Sequence, residues 1–284
     1  MKKNIITIDV GGTKIMVQRR LNSKLDFEEK VKTPKTRRAL LNQLCALIEK
    51  SLNQKSMAVS IAWAGQVDAN KGIILNSPNI KGFKNFHLVD FLQKKFGLPV
   101  FVENDSRCFA FGEYLALKKP CRVFVGITFG TGVGGGVVIG GEILHGALFQ
   151  AGEFGHMIFH GKTVEQHFAG SALNQAIEQF RSDLKSLGKE KFWHEVLANL
   201  SELLYNVMIF YDAEKIVIGG GFGRDVYAKF ENEINQNLEL LNKKNKKFID
   251  FKPRKRRVVE FSKMNDSTNF GCLMIALKKL NTVR

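Results

Sequence analysis

The chain is 284 residues long, 44% hydrophobic and 25% charged, the profile of a globular protein with enough apolar material for one large or two medium domains. No apolar run approaches the roughly 20 residues of a membrane span. The opening Met1-Lys2-Lys3-Asn4-Ile5 enters an apolar run that Asp9 and a glycine pair break too soon for a signal peptide, so a cytoplasmic location is expected. The net charge of +16 is spread along the chain, as on a lysine-rich solvated surface. Its densest run, Arg254-Lys255-Arg256-Arg257, lacks the interleaved aromatics of a single-strand binder. Cys45, Cys108, Cys121 and Cys272 form no C-x-x-C pair and read as reduced residues, mostly of the core.

Ile5 to Val10 reads as a strand buried on both faces, Gly11-Gly12-Thr13-Lys14 as a turn, and Ile15 to Gln18 as the returning strand of a hairpin. Leu40, Leu41, Leu44, Leu47 and Ile48 have helical spacing within 39–52. Strands are expected at 57–62 and 98–102, the second ending at Glu103-Asn104-Asp105 before a helix that reaches about Leu117. The opening pattern then recurs: strand 123–128, a glycine-rich turn from Phe129 to Gly135, and a returning strand 136–139. Helices are expected at about 164–182, 192–210, 224–242 and 268–280, with a strand at 215–218 running into Gly219-Gly220-Gly221 and a strand-like run at 258–261. This alternation predicts an α/β protein. The repeated strand, glycine turn and strand predict a duplicated domain with two phosphate-facing loops across one cleft and a hinge near Lys118–Cys121.

Four segments carry chemistry. Gly11 and Gly12 let backbone N–H groups approach an anion, and Asp9 at the strand end suits the shell of a magnesium ion. Seven residues, Gly130-Thr131-Gly132-Val133-Gly134-Gly135-Gly136, hold five glycines, which a strand tolerates best where its backbone closely approaches a ligand. This turn is neither a Walker loop nor a dinucleotide fingerprint. Glu103-Asn104-Asp105 is either a helix cap or a carboxylate facing a site as general base. Ala151-Gly152-Glu153-Phe154-Gly155-His156 suits a loop that lines a site.

Together, and in this order, these segments resemble the ROK family of sugar kinases and sugar-responsive repressors. The resemblance adds Gly140-Gly141 and His145-Gly146 to the signature, Ile218 to Gly221 as an adenosine motif, and Asn265-Asp266 with Gly271 and Ala276 as a closing segment. It implies two RNase H-like (actin/hexokinase-type) domains with a nucleotide and sugar cleft between them. The first would span 1–118, joined by the C-terminal helix 268–284, and the second 119–267. It implies ATP and Mg²⁺, a homodimer, and transfer to the 6-hydroxyl of a hexose, glucose first, with an N-acetylhexosamine or a non-catalytic sugar sensor as alternatives. Asp105 would be the general base. Asn104, Glu153, His156 and Glu165 would hold sugar hydroxyls, with Gly65 and Asn79 flanking the sugar. Asp9 would support magnesium. Gly11, Gly12, Thr13, Lys14, Gly130, Thr131 and Gly132 would surround the phosphates, and Gly219, Gly220 and Gly221 would border the adenosine.

Two departures stand out. Many members hold zinc through the signature histidine and three clustered cysteines, but the interval from His156 to Glu165 has no cysteine. No structural zinc is therefore expected, and His160 and His167 are read as surface or core residues. Ala64-Gly65 stands where Pro-Gly is usual, beside a bulky Trp63, which points to an altered sugar preference. A DNA-binding role is disfavoured, because eight residues before Asp9 are too few for a helix-turn-helix domain.

Overall fold

The computed structural model of the protein describes residues 4–21, 24–180, 186–245 and 259–282. The basic run at 254–257 and Val258 lie outside the described residues. The chain divides into two compact units: Met1–Ala116 with His145–Ala151 and Asp266–Arg284, and Leu117–Leu144 with Gly152–Asn265.

In the first unit β1 (Asn4–Val10), β2 (Lys14–Leu21) and β3 (Lys24–Lys32) form an antiparallel meander. After α1 (Arg37–Ser51) comes β4 (Ser56–Trp63), then β5 (Gln66–Asp68), β6 (Ile73–Asn76) and β7 (Phe86–His87), a small antiparallel sheet of their own. Next come α2 (Leu88–Phe96), β8 (Val100–Asn104) and α3 (Asp105–Leu115). β4 lies parallel to β1, and β8 parallel to β4, giving the order β3-β2-β1-β4-β8. Alternation along β1 explains its continuous hydrophobicity. Ile6, Ile8 and Val10 meet Leu40, Leu44, Leu47 and Ile48 of α1 on one face, while Ile5 belongs to a cluster on the other.

The second unit begins with β9 (Val123–Phe129), β10 (Val133–Ile139) and β11 (Glu142–Ile143), again an antiparallel meander. A small hairpin, β12 (Ile158–Phe159) and β13 (Lys162–Thr163), precedes α4 (Val164–Phe168), α5 (Gly170–Phe180) and α6 (Ser186–Tyr211). Then follow β14 (Lys215–Gly219), α7 (Gly221–Asp225), α8 (Glu231–Asn245) and β15 (Val259–Phe261). β14 is parallel to β9, and β15 to β14, so the order β11-β10-β9-β14-β15 repeats that of the first sheet. Val125, Ile127 and Phe129 pack with Leu200, Leu203, Leu204 and Val207 of α6 and Ile234 of α8. The last helix, α9 (Ser267–Thr282), belongs to the first unit, where Leu273 and Ala276 cover Ile5 and Ala58.

The helix expected at 164–182 is two helices. Ala169 is extended (φ −64°, ψ 145°), and the break lets Gly170 N–H reach Gly130 O at 2.8 Å. The helix expected at 224–242 is likewise divided, by Val226 at φ −115°, ψ −64° and a 3-10 turn at Tyr227–Phe230.

Candidate functional site

In the first unit, the turn after β1 is held from outside by β3's continuation. Gly11 N–H donates to Lys14 O (3.0 Å), Thr33 Oγ1 donates to Gly11 O (2.7 Å), and Thr33 N–H donates to Thr13 O (2.9 Å). A Cβ on Gly12 would come within 3.0 Å of Asn79 Cβ, so Asn79 lies against this glycine turn. Asp9 lies one residue before the end of β1 and is half-buried. Burial pushes its carboxyl up to about 6, while the Lys14 ammonium pulls it back. Thr13 and Lys14 are exposed.

The β8–α3 junction is built as a helix cap. Asn104 Oδ1 accepts from Arg107 N–H at 3.0 Å, and Asn104 Nδ2 donates to Gly65 O at 2.9 Å and to Asp105 Oδ1 at 3.2 Å. Asp105 Oδ1 also accepts from Ser106 N–H at 2.8 Å. The cap and the carboxylate are therefore not alternatives: Asn104 caps α3, and Asp105 is fixed in its first turn, where a negative charge is favoured. Gly65 has φ 147°, and a Cβ there would fall 2.4 Å from Asn76 O, so only glycine fits this approach to Asn104. Trp63, expected to alter the sugar preference, does not line this region. It is fully buried, donates from Nε1 to Ser77 Oγ (3.0 Å) and packs edge-on against Phe83.

In the second unit, the glycine turn between β9 and β10 is fastened by α4 and α5. Gly130 O accepts from Gly170 N–H (2.8 Å), Thr131 O from Ser171 Oγ (2.6 Å), and Val133 N–H donates to Glu165 Oε2 (2.9 Å). Glu165, read from the family as a sugar contact, thus spends one oxygen on the turn that includes Thr131 and Gly132. The glycines have two distinct causes. A Cβ on Gly130 would meet nothing within 4 Å, although its N–H donates to Gly132 O at 2.9 Å and its carbonyl accepts from Gly170. A Cβ on Gly135 would strike the Phe154 ring at 2.3 Å, and one on Gly155 would strike Val133 O at 2.2 Å. Ligand approach was the expected cause of the whole run, and for Gly135 packing is the cause instead. Glu153 is half-buried and His156 exposed, joined through His156 N–H to Glu153 O at 3.1 Å.

Gly219 closes β14, Gly220 has φ 78° with Phe129 O where a Cβ would stand (2.3 Å), and Gly221 opens onto free space at the start of α7. His167 Nε2 is bonded to Phe159 O at 2.7 Å, and exposed His160 lies 3.5 Å from Glu202. Among the described residues, no group of three or more His, Cys, Asp or Glu side chains could hold a metal, and no helix is long and apolar enough to cross a membrane.

These residues fit a magnesium nucleotide. Asp9 is a hard oxygen donor just ahead of a glycine turn whose Thr13 and Lys14 are exposed. A metal that keeps its waters and phosphate ligands needs no protein cage. Thr33, Ser171 and Arg107 escaped the sequence reading, because single hydroxyls and a lone arginine on a helix carry no local signal of what they will touch.

Comparison with known proteins finds relatives along most of the chain. An N-acetylmannosamine kinase of Salmonella newport is 32% identical over 242 residues, covering 77% of this chain and 83% of the relative. A ROK hexokinase from Thermus thermophilus superposes with a TM-score of 0.82 at 22% identity, over 98% of this chain and 99% of that one. A ROK family glucokinase from Streptomyces griseus, solved with glucose and AMPPNP, gives 0.72 at 23% identity, over 97% and 99%. With two sheets of the same strand order, two glycine turns, the Asn-Asp helix cap, and a match of residues 5–278 to the family's model, the chain belongs to the ROK family.

Proposed function

We propose that this protein is a sugar kinase that transfers the γ-phosphoryl group of ATP to the 6-hydroxyl of N-acetylmannosamine. The observation that carries the choice of sugar is the 32% identity to an N-acetylmannosamine kinase over most of both chains. Glucose, placed first on the motifs alone, becomes the second reading, supported by the fold shared with a glucokinase solved with that sugar.

Asp105 takes the proton from the attacking hydroxyl as the oxygen bonds to phosphorus and the bond to ADP breaks. Its orientation is set by Ser106 N–H and the Asn104 amide, which is itself anchored on Gly65 O. Asn104, Glu153 and His156 bind the sugar's other polar groups, Glu165 does so with the oxygen not bonded to Val133, and Gly65 and Asn79 flank the ring. Gly11, Gly12, Thr13, Lys14, Gly130, Thr131 and Gly132 take the phosphates, and Gly219, Gly220 and Gly221 border the adenosine. Magnesium, when bound near Asp9, neutralises charge developing on the phosphate oxygens.

Coupled ADP release with Mg-ATP against a panel of hexoses and N-acetylhexosamines tests this reading. We expect kcat/KM for N-acetylmannosamine to exceed that for glucose by about tenfold or more. A reversed ratio establishes the glucose reading. Asp105→Asn should lower kcat by about 10²- to 10⁴-fold in a protein that still folds. Full activity in that variant would remove Asp105 as the base.

A further inference from the structure

Arg107 lies two residues beyond the proposed base and is 1% exposed. Its guanidinium faces Glu103, 4% exposed, with Nη1 3.4 Å from Oε1. The same guanidinium donates through Nη2 to Phe149 O at 2.6 Å and reaches Ala151 O at 3.4 Å. The other oxygen of Glu103 meets His145 Nε2 at 2.6 Å. Gln66 Nε2 donates to Leu148 O at 2.9 Å. Ala151 N–H closes the loop on His145 O at 3.1 Å.

The loop from His145 to Ala151 is thus fastened at Gln66 and Glu103, next to Gly65 and Asn104 in sequence, and at Arg107, two residues beyond Asp105. It also carries strain. Phe149 has φ 54°, a left-handed conformation that a bulky residue adopts at a cost. The carbonyl turned inward by that conformation is the one Arg107 binds most closely, through a charge-assisted bond. A loop that served only to connect strands would need neither a buried guanidinium nor a strained aromatic. Such a device is expected where a surface must be held to a fraction of an ångström.

We propose that Arg107 is a positioning residue for the sugar site, acting through the His145–Ala151 loop that it fastens beside Asn104 and Asp105. The inference rests on the sugar-kinase reading. The loop forms a wall for the sugar and leaves nucleotide binding to the glycine turns. Lysine cannot replace Arg107, because one ammonium cannot pair with Glu103 while reaching both carbonyls.

The test is steady-state kinetics on wild type, Arg107→Lys, Phe149→Pro and Gln66→Ala, with circular dichroism as the folding check. Phe149→Pro fixes φ at about −65°, which turns this position out of the left-handed region and its carbonyl away from Arg107. Glu103 and Ala151 O still meet the guanidinium, so this variant should fold even if Arg107→Lys does not. We expect Phe149→Pro and Arg107→Lys to raise KM for the sugar by about tenfold or more, with KM for ATP changed less than about twofold. Gln66→Ala should move the same constant in the same direction by less. A folded Phe149→Pro with an unchanged sugar KM overturns the inference. Equal shifts in both KM values, or a loss confined to kcat, also overturn it. Wild type run in parallel separates the two failures: no turnover with any sugar overturns the kinase reading and this inference with it.

Discussion

Asp9 opposes stability at neutral pH, at a position proposed to support magnesium. Its carboxyl titrates near 6 in the folded protein and near 3.8 otherwise, because burial penalises the charged form. The folded state therefore holds this proton more tightly. The contribution is complete below about pH 4 and is lost as pH rises through about 6. Asp9→Asn, which has no charge to bury, should raise stability at pH 8 by about 1–2 kcal/mol, allowing for the side chain's partial exposure. The gain should vanish near pH 4. Thermal unfolding without nucleotide at the two pH values checks this, and an equal gain at both would refute the electrostatic origin. The same variant should lose most of its magnesium-dependent activity. The candidate residues Asp9, Asn104 and Asp105 are legible in the chain, because they sit near strand ends followed by turns or helix starts. Thr33, Arg107 and Gln66 are not, since their partners are distant in sequence or are backbone carbonyls, which have no residue type.

At the scale of elements, the hydrophobic period found the long strands and helices. It missed β3, whose exposed and half-buried residues carry so many charges that it reads as loop. An edge strand gains from such charges, because they discourage pairing with other chains. It also missed the short strands β5 to β7, which are fixed by mutual pairing more than by pattern. The glycines of α9 and the second hairpin show contact too tight for any side chain. A Cβ on Gly271 would lie 1.9 Å from Cys108 O, so α3 and α9 touch backbone to backbone there. Gly271→Ala should force these helices apart and cost about 3 kcal/mol, read as a lower urea midpoint. Gly221→Ala, facing open space, should leave that midpoint within about 0.5 kcal/mol and change only nucleotide affinity. If both variants unfold alike, the division of glycines into packing and ligand-facing sets fails.

For the whole molecule, the charge of +16 calls for a choice between nucleic acid and solvent as partner. Lys14, Lys32, Lys35, Arg38, Lys81 and Lys84 are exposed on and beyond the first glycine turn, while Arg37 lies over the Phe86 ring and bonds Gly82 O. They come from β2, β3, α1 and loops, and do not form one basic helix face shaped for a groove. We expect weak retention of duplex DNA at about 50 mM salt that disappears by about 200 mM, as for non-specific phosphate contacts. A gel shift across that range decides it, and tight binding at the higher salt would reinstate a DNA-directed role.

The placement of α9 has a consequence for biosynthesis. Ile5 and Ala58 are made well before Leu273 and Ala276, which cover them. While the rest of the chain is being translated, that face of the first sheet has no lid, and a nascent chain in this state offers an apolar surface to holdase chaperones. A circular permutant that moves α9 ahead of β1 would let that face of the first sheet be covered as soon as α3 leaves the ribosome, which should raise soluble yield at high expression rates without altering the mature fold.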